Sequence, residues 1–140
     1  MSTQTKFYAF ILDLGKGVHH LHASGDTLKV YLTNATPDAT THAVKADIAE
    51  VTAEHGYVAG GVDIQNDYTQ CSGTGTMVST DVAFTATGGT VGPFQYAVIY
   101  NDTATGDPLV SYINYGSAIT LQDGDTVSVD FDETGVVAIT

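Results

Sequence analysis

The sequence has no arginine, no tryptophan, one cysteine, three prolines and only four cations, all of them lysine, in 140 residues. Each shortage removes a class of protein. The single cysteine, Cys71, cannot close an intrachain disulfide, so the chain must be held by its core. At this length one core suffices without covalent staples. No run approaches the ~18 consecutive apolar residues that cross a bilayer, and no membrane partner is expected. The lysines, Lys6, Lys16, Lys29 and Lys45, all lie in the first third, while residues 46–140 carry thirteen carboxylates and no cation. A nucleic-acid partner requires Lys or Arg against its phosphates, so none is expected. An anionic lipid surface is disfavoured for the same reason. Lacking Arg and Trp, the chain also lacks common residues for gripping anionic or sugar substrates.

What remains is apolar and patterned. Hydrophobic residues make up 43% and charged residues only 14%, so the net charge of −12 does not signal a disordered polyelectrolyte. The charge is divided. Four lysines against Asp13, Asp26 and Asp38 leave residues 1–45 nearly neutral, and the acids gather beyond them. The opening segment MSTQTKFYAFILDLGKG has a short apolar run, but Asp13 interrupts it and no small-residue cleavage pattern follows. It is expected to belong to the fold. Asn34-Ala-Thr36 and Asn101-Asp-Thr103 match the glycosylation pattern and are read as chance matches in a Thr-rich chain.

One domain, 1–140, is expected. Residues 1–5 read as a polar arm. Phe7, Phe10, Ile11, Leu14, Val18 and Leu21 form one stripe at helical spacing, predicting a helix over about 5–16 that frays at Gly15 and Gly17. Residues 1–22 are thus an arm and helix, and 23–140 a mainly-β body. Residues 27–33 alternate, with Leu28, Val30 and Leu32 on one face and Lys29, Tyr31 and Thr33 on an exposed one. Val44, Ile48, Val51 and His55 predict a short helix near 43–54, closed by Gly56. Beyond Gly56, glycines punctuate β-prone runs at 62–69, 76–86, 94–100, 109–115, 118–121, 126–131 and 136–139. The 94–100 run is nearly continuous and should be central. The fold class is mainly β, a β-sandwich or barrel-like body, with one or two short helices in its N-terminal part.

Chemistry-bearing clusters are few. His19, His20 and His22 could ligate a metal, with His20 and His22 sharing a strand face, but the sequence locates no further ligand. Asp123-Gly-Asp125 offers oxygen ligands of the kind calcium prefers, as do Asp130, Asp132 and Glu133; the first also reads as a hairpin turn. Both are expected to be structural, so no metal and no cofactor is assigned. Cys71 reads as a small half-buried residue. No nucleophile elbow, P-loop, HExxH or dinucleotide fingerprint is present, and an enzyme is not expected. Phe94, Tyr96, Tyr100, Tyr112 and Tyr115 gather in one span, suited either to the core or to an interface.

Two stretches carry a resemblance. They are Asp26-Thr-Leu-Lys-Val-Tyr-Leu-Thr-Asn-Ala-Thr-Pro37 and the longer run from Gly92-Pro-Phe-Gln-Tyr to Ile-Asn-Tyr-Gly116, followed by Asp-Gly-Asp and Val-Ser-Val-Asp-Phe. With the Lys6-Phe7 segment and Gly56-Tyr57…Gly60-Gly61, the sequence resembles small proteins encoded among the structural genes of tailed bacteriophages. The resemblance implies a non-enzymatic virion protein, above all a capsid decoration (cement) protein on the outer head surface, made in the host cytoplasm. It implies a major capsid protein or other virion protein as partner, and a homo-oligomer such as a trimer. The alternatives are a tail, collar or fibre component, or a carbohydrate-binding β-sandwich module that uses the tyrosines. The charge division adds a direction, with the lysine-bearing third towards the partner and the acidic body towards water. The contact candidates are Lys6, Phe7 and Lys16, with Lys29 and Tyr31 on the exposed strand face.

Overall fold

A continuous apolar run is the pattern of a strand covered on both faces, and 94–100 lies in such a strand. The computed structural model describes residues 3–129 and 137–139. In chain order the elements are β1 (Thr3–Lys6), α1 (Tyr8–Gly15), β2 (Leu28–Thr33), a 3-10 turn (Lys45–Asp47), β3 (Val62–Asp63), β4 (Asp67–Cys71), β5 (Thr74–Val78), β6 (Val82–Thr85), β7 (Val91–Asn101), β8 (Leu109–Leu121), β9 (Thr126–Val129) and β10 (Val137–Ile139). The main sheet runs β1-β8-β7-β2-β3, with β7 in the middle; β10-β5-β4 and β6-β9 are smaller sheets. Every pairing is antiparallel. The fold is therefore mainly β with one short N-terminal helix, and among the described residues no sheet closes into a barrel. One apolar cluster joins them, from Phe7 and Phe10 through Val30, Leu32 and Ile99 to Met77, Phe84 and Val129.

Several expectations are corrected. Residues 3–6 are not an arm: they pair with β8, Lys6 opposite Ser111. Runs 109–115 and 118–121 are one strand, because β7 is long enough to follow β8 from Leu109 to Leu121, with register shifts between Val91 and Tyr96. Runs 62–69 and 76–86 each split, since the chain changes sheet within them. At the first split the buried Asn66 side chain accepts from Leu28 N–H (3.1 Å) and donates to the carbonyls of Leu21 (2.9 Å) and Asp26 (3.1 Å). Asp123-Gly124 makes a turn between β8 and β9, but not a hairpin, because β9 pairs with β6.

The helix near 43–54 shrinks to the 3-10 turn. The Asp47 carboxylate takes the N–H groups of Ala43 (2.9 Å) and Val44 (3.1 Å) and closes that turn. The following backbone is then drawn to the edge of β2: Val51 N–H donates to the Leu32 carbonyl (3.0 Å), and the Thr33 hydroxyl donates to the Ala49 carbonyl. Tertiary bonding overrides the helical spacing. The same segment buries the β2 face expected to be open. Lys29, Tyr31 and Thr33 share that face with Tyr100, Val98 and Tyr96. There the Tyr31 hydroxyl donates to the Ile48 carbonyl (3.3 Å) and the Tyr100 hydroxyl to the Gly60 carbonyl (2.7 Å). Tyr31 and Thr33 are fully buried as a result. Because β3 pairs with β2 only at Lys29 and Val30, the Leu32 N–H at that edge needs another acceptor, and it donates to the Tyr57 hydroxyl oxygen (3.0 Å).

Candidate functional site

The five expected contact residues separate. Lys6 is exposed on β1, and Lys16 is exposed at the C-terminal cap of α1, where its cation suits the helix dipole. Phe7 and Tyr31 are fully buried inside the chain, so neither ring is a surface contact. Phe7 packs on Tyr112 at 5.3 Å and Tyr31 on Tyr100 at 5.5 Å. Lys29 is half-buried and paired with Asp102 at 3.3 Å. Lys45 is likewise engaged, 3.2 Å from Glu50 and 4.8 Å from the Tyr31 ring centroid. The aromatic span 94–115 is largely core, with Phe94, Tyr96 and Tyr100 buried and Tyr112 and Tyr115 packed against them. It does not form an open stacking platform. Burial raises the Tyr115 hydroxyl to about 12.

Glu50 is the hub of a network that residue spacing did not reveal. One carboxylate oxygen meets Lys45; the other accepts from the Tyr57 hydroxyl (2.6 Å) and Gly60 N–H (2.8 Å). Burial, then this bond to Glu50, holds the Tyr57 hydroxyl well above the usual tyrosine range. The network is fully partnered and ties the irregular 44–61 segment to the sheet, so its role is structural.

The three histidines do not converge. His20 and His22 are exposed in irregular chain rather than on a strand, while His19 is buried. The Asn101 carbonyl oxygen accepts from Thr103 N–H (3.0 Å) and Ala104 N–H (3.1 Å), so its NH2 must face His19 Nδ1 (3.0 Å) and Asp26 (2.7 Å). His19 Nδ1 is then an acceptor, and the ring proton sits on Nε2, which has no partner among the described residues. Burial, only partly countered by Asp13 and Asp26, lowers the His19 pKa; His20 lowers it further. Burial would raise the Asp26 pKa, but hydrogen bonds from Asn101 and His20 N–H leave it lowered. The fully buried Asn101 cannot carry a glycan in this fold.

Asp123 accepts from Gly88 N–H (2.9 Å) and Asp125 from Gln122 N–H (2.9 Å), so both carboxylates secure turns. Asp130, Asp132 and Glu133 lie outside the described residues. No group of three or more His, Cys, Asp and Glu side chains converges among the described residues. Cys71 is exposed on β4 rather than half-buried. No described helix is long and apolar enough to cross a membrane.

The feature the sequence reading missed is the outer side of α1. Phe7 and Phe10 face the core, but Tyr8, Ile11 and Leu12 stand 62%, 50% and 59% exposed. Ile11, assigned by spacing to the core stripe, points away from it. The signal was present: in Tyr-Ala-Phe-Ile-Leu-Asp-Leu-Gly only Asp13 is charged, so the helix is apolar all round, as a helix covered on every side would be. Beside it, Leu14, His19, His20, Leu21, His22 and Tyr68 line an open groove of about 360 Å³. Comparison with protein-family models, curated proteins and solved structures gives no match.

Proposed function

We propose that this chain is a non-enzymatic structural protein of a tailed-phage virion, a capsid decoration protein held on the outer head surface, where it stabilises the shell. The observation that carries the reading is the outward apolar face of α1 on an otherwise acidic β body, a surface that suits a protein held against another protein. The resemblance of 26–37 and 92–116 to phage structural proteins supplies the virion setting. In the fold these stretches form β2, most of β7 and β8, and their connections. A cement protein works by adding buried interface, and many copies act together on one shell. Negative charge on the solvent side keeps closely spaced copies soluble.

The test uses heads of the encoding phage stripped of, or assembled without, this chain. Purified protein should cosediment with them at saturating stoichiometry and raise the temperature at which the shells open. Heads that take up no protein, and open at an unchanged temperature, would remove the reading.

A further inference from the structure

We infer that residues 18–26 form a latch on the end of β7 that opens locally when His19 takes up a proton, so that mild acid frees this segment before it unfolds the sheet. This goes beyond the proposed function and does not rest on it. Residues 18–26 belong to no strand. Val18 N–H donates to the Asp13 carbonyl at the end of α1 (3.0 Å), and the N–H groups of Gly25 and Asp26 donate within the segment, to the carbonyls of His22 (2.9 Å) and His20 (2.7 Å). Its polar ties to the β body run through side chains. Asp67 accepts from Ala23 N–H (3.0 Å), Asn66 donates to the carbonyls of Leu21 and Asp26, and Asn101 donates to Asp26 and meets His19. A segment fastened in this way opens at a lower free energy than a strand paired on both sides.

The closed latch has no place for a second proton on His19. The Asn101 amide cannot turn over to accept it, because its carbonyl oxygen already holds the N–H groups of Thr103 and Ala104. A proton on Nδ1 therefore breaks the tie between His19 and β7. The other ring nitrogen offers nothing in exchange: Nε2 already carries a proton, is enclosed and has no partner among the described residues. The titratable groups facing His19 are Asp13 on α1, and Asp26 and His20 on its own segment; α1 also presents the Phe10 ring at 5.0 Å, and β7 the uncharged Asn101 amide. The two carboxylates favour an imidazolium, but burial outweighs them and the closed segment holds the His19 pKa low. In the open segment the ring is in water and titrates near 6.5. Opening is then independent of pH above 6.5 and grows up to tenfold per pH unit below it, until the closed-state pKa is reached. Asp26, whose pKa is lowered from 3.8, stays ionised through the start of that range, so its own bonds are not what gives way first. Opening withdraws the buried Leu21 and the ring that packs on Phe10.

The test is native-state hydrogen exchange of the full chain from about pH 7 to about pH 4.5, corrected for the intrinsic pH dependence of amide exchange. The N–H groups of His20, Gly25 and Asp26 report the latch, and those of Val98 and Ile99 in β7 report the sheet. In wild type the latch amides should be less protected than the β7 amides and nearly insensitive to low urea, because local opening exposes little surface. Their protection should fall by up to tenfold per pH unit below 6.5, in step with protonation of the His19 ring followed by its proton shifts. His19→Gln, which keeps an acceptor for Asn101, should give latch protection that does not change with pH over this range. Latch amides that match β7 in protection and urea dependence would show that no local opening exists and overturn the inference. Latch protection that stays flat while the His19 ring titrates would overturn it too, a result wild type alone supplies if the variant does not fold. An equal fall in His19→Gln would assign the acid response to another group and overturn it as well.

Discussion

His19 should make folding stability depend on pH between neutrality and the carboxylate range. Its Nδ1 must accept from Asn101, because Thr103 and Ala104 fix the orientation of that amide. A proton on Nδ1 would set two donors face to face inside a site where His19 is only 6% exposed. In the unfolded chain the same imidazole titrates near its ordinary value of 6.5, and in the fold its pKa is lower. Above the unfolded value both states are neutral and stability is flat. As pH falls below 6.5 the unfolded state takes up a proton that the folded state refuses, and stability drops until the folded pKa is reached. The slope of a one-proton difference is about 1.4 kcal/mol per pH unit.

The perturbation is His19→Gln, which removes the titration and keeps an acceptor for the Asn101 amide. Urea unfolding at half-unit steps from about pH 8 to about pH 3 should show wild type losing stability below pH 6.5 and the variant lacking that component. Below about pH 4 the two should fall in parallel. There Asp38, held at about 2 by the Thr40 hydroxyl and amide, and Asp47, held low by the N–H groups of Ala43 and Val44, lose their stabilising ionised forms in both proteins. Nitrogen shifts of the wild-type ring should report the Nε2–H tautomer at pH 7. Parallel curves across pH 6.5–4, or an Nδ1–H ring, would refute the reasoning.

Other outcomes follow from the same geometry. Glu50→Ala strands Lys45, the Tyr57 hydroxyl and Gly60 N–H together, so it should cost about 3 kcal/mol in urea unfolding and speed amide exchange across 44–61; exchange unchanged in that segment would show that the network does not hold it. Gly61 has φ +79°, and a Cβ there would collide with the Val30 carbonyl oxygen, so Gly61→Ala should destabilise by about 2 kcal/mol or more; a thermal midpoint within a degree of wild type would contradict it. Phe10→Ala empties a fully buried site under α1 and should cost about 3–5 kcal/mol. Cys71, exposed on β4, should react with one equivalent of a thiol reagent in the native protein, without waiting for unfolding.

The sequence was most legible where the signal was local. The continuous run at 94–100 identified the central strand, because a strand covered on both faces needs apolar residues at every position. It was least legible where distant backbone supplied the partner. Nothing in the alternation of 27–33 says that 44–61 will lie across Lys29, Tyr31 and Thr33, since the bonds that hold it there join Ile48, Ala49 and Gly60 to residues far along the chain. The helical spacing of Val44, Ile48 and Val51 misled for the same reason: Ile48 and Val51 reach the core from irregular chain beyond the 3-10 turn rather than from a helix. In α1 the spacing found the helix and most of its inner face, Phe7, Phe10 and Leu14, but placed Ile11 there too, because a helix with one charged side chain offers more than one apolar stripe and only packing chooses between them.

The charge division changes meaning once the chain is folded. In sequence it separates a lysine-bearing third from an acidic remainder. In space β1 and β2 are built into the same sheet as β7 and β8, so the two parts are not two faces. Folding also spends Lys29 and Lys45 on Asp102 and Glu50. What the surface around α1 keeps is uncovered apolar area, at Tyr8, Ile11 and Leu12, rather than a face of one charge. Two placements of the contact face then separate experimentally. If the whole N-terminal third were the contact face, Lys29→Glu would weaken binding to heads as much as Lys16→Glu. If α1 alone is the face, Lys29→Glu should lower stability slightly by losing its pair with Asp102, by less than about 1 kcal/mol, and leave binding unchanged.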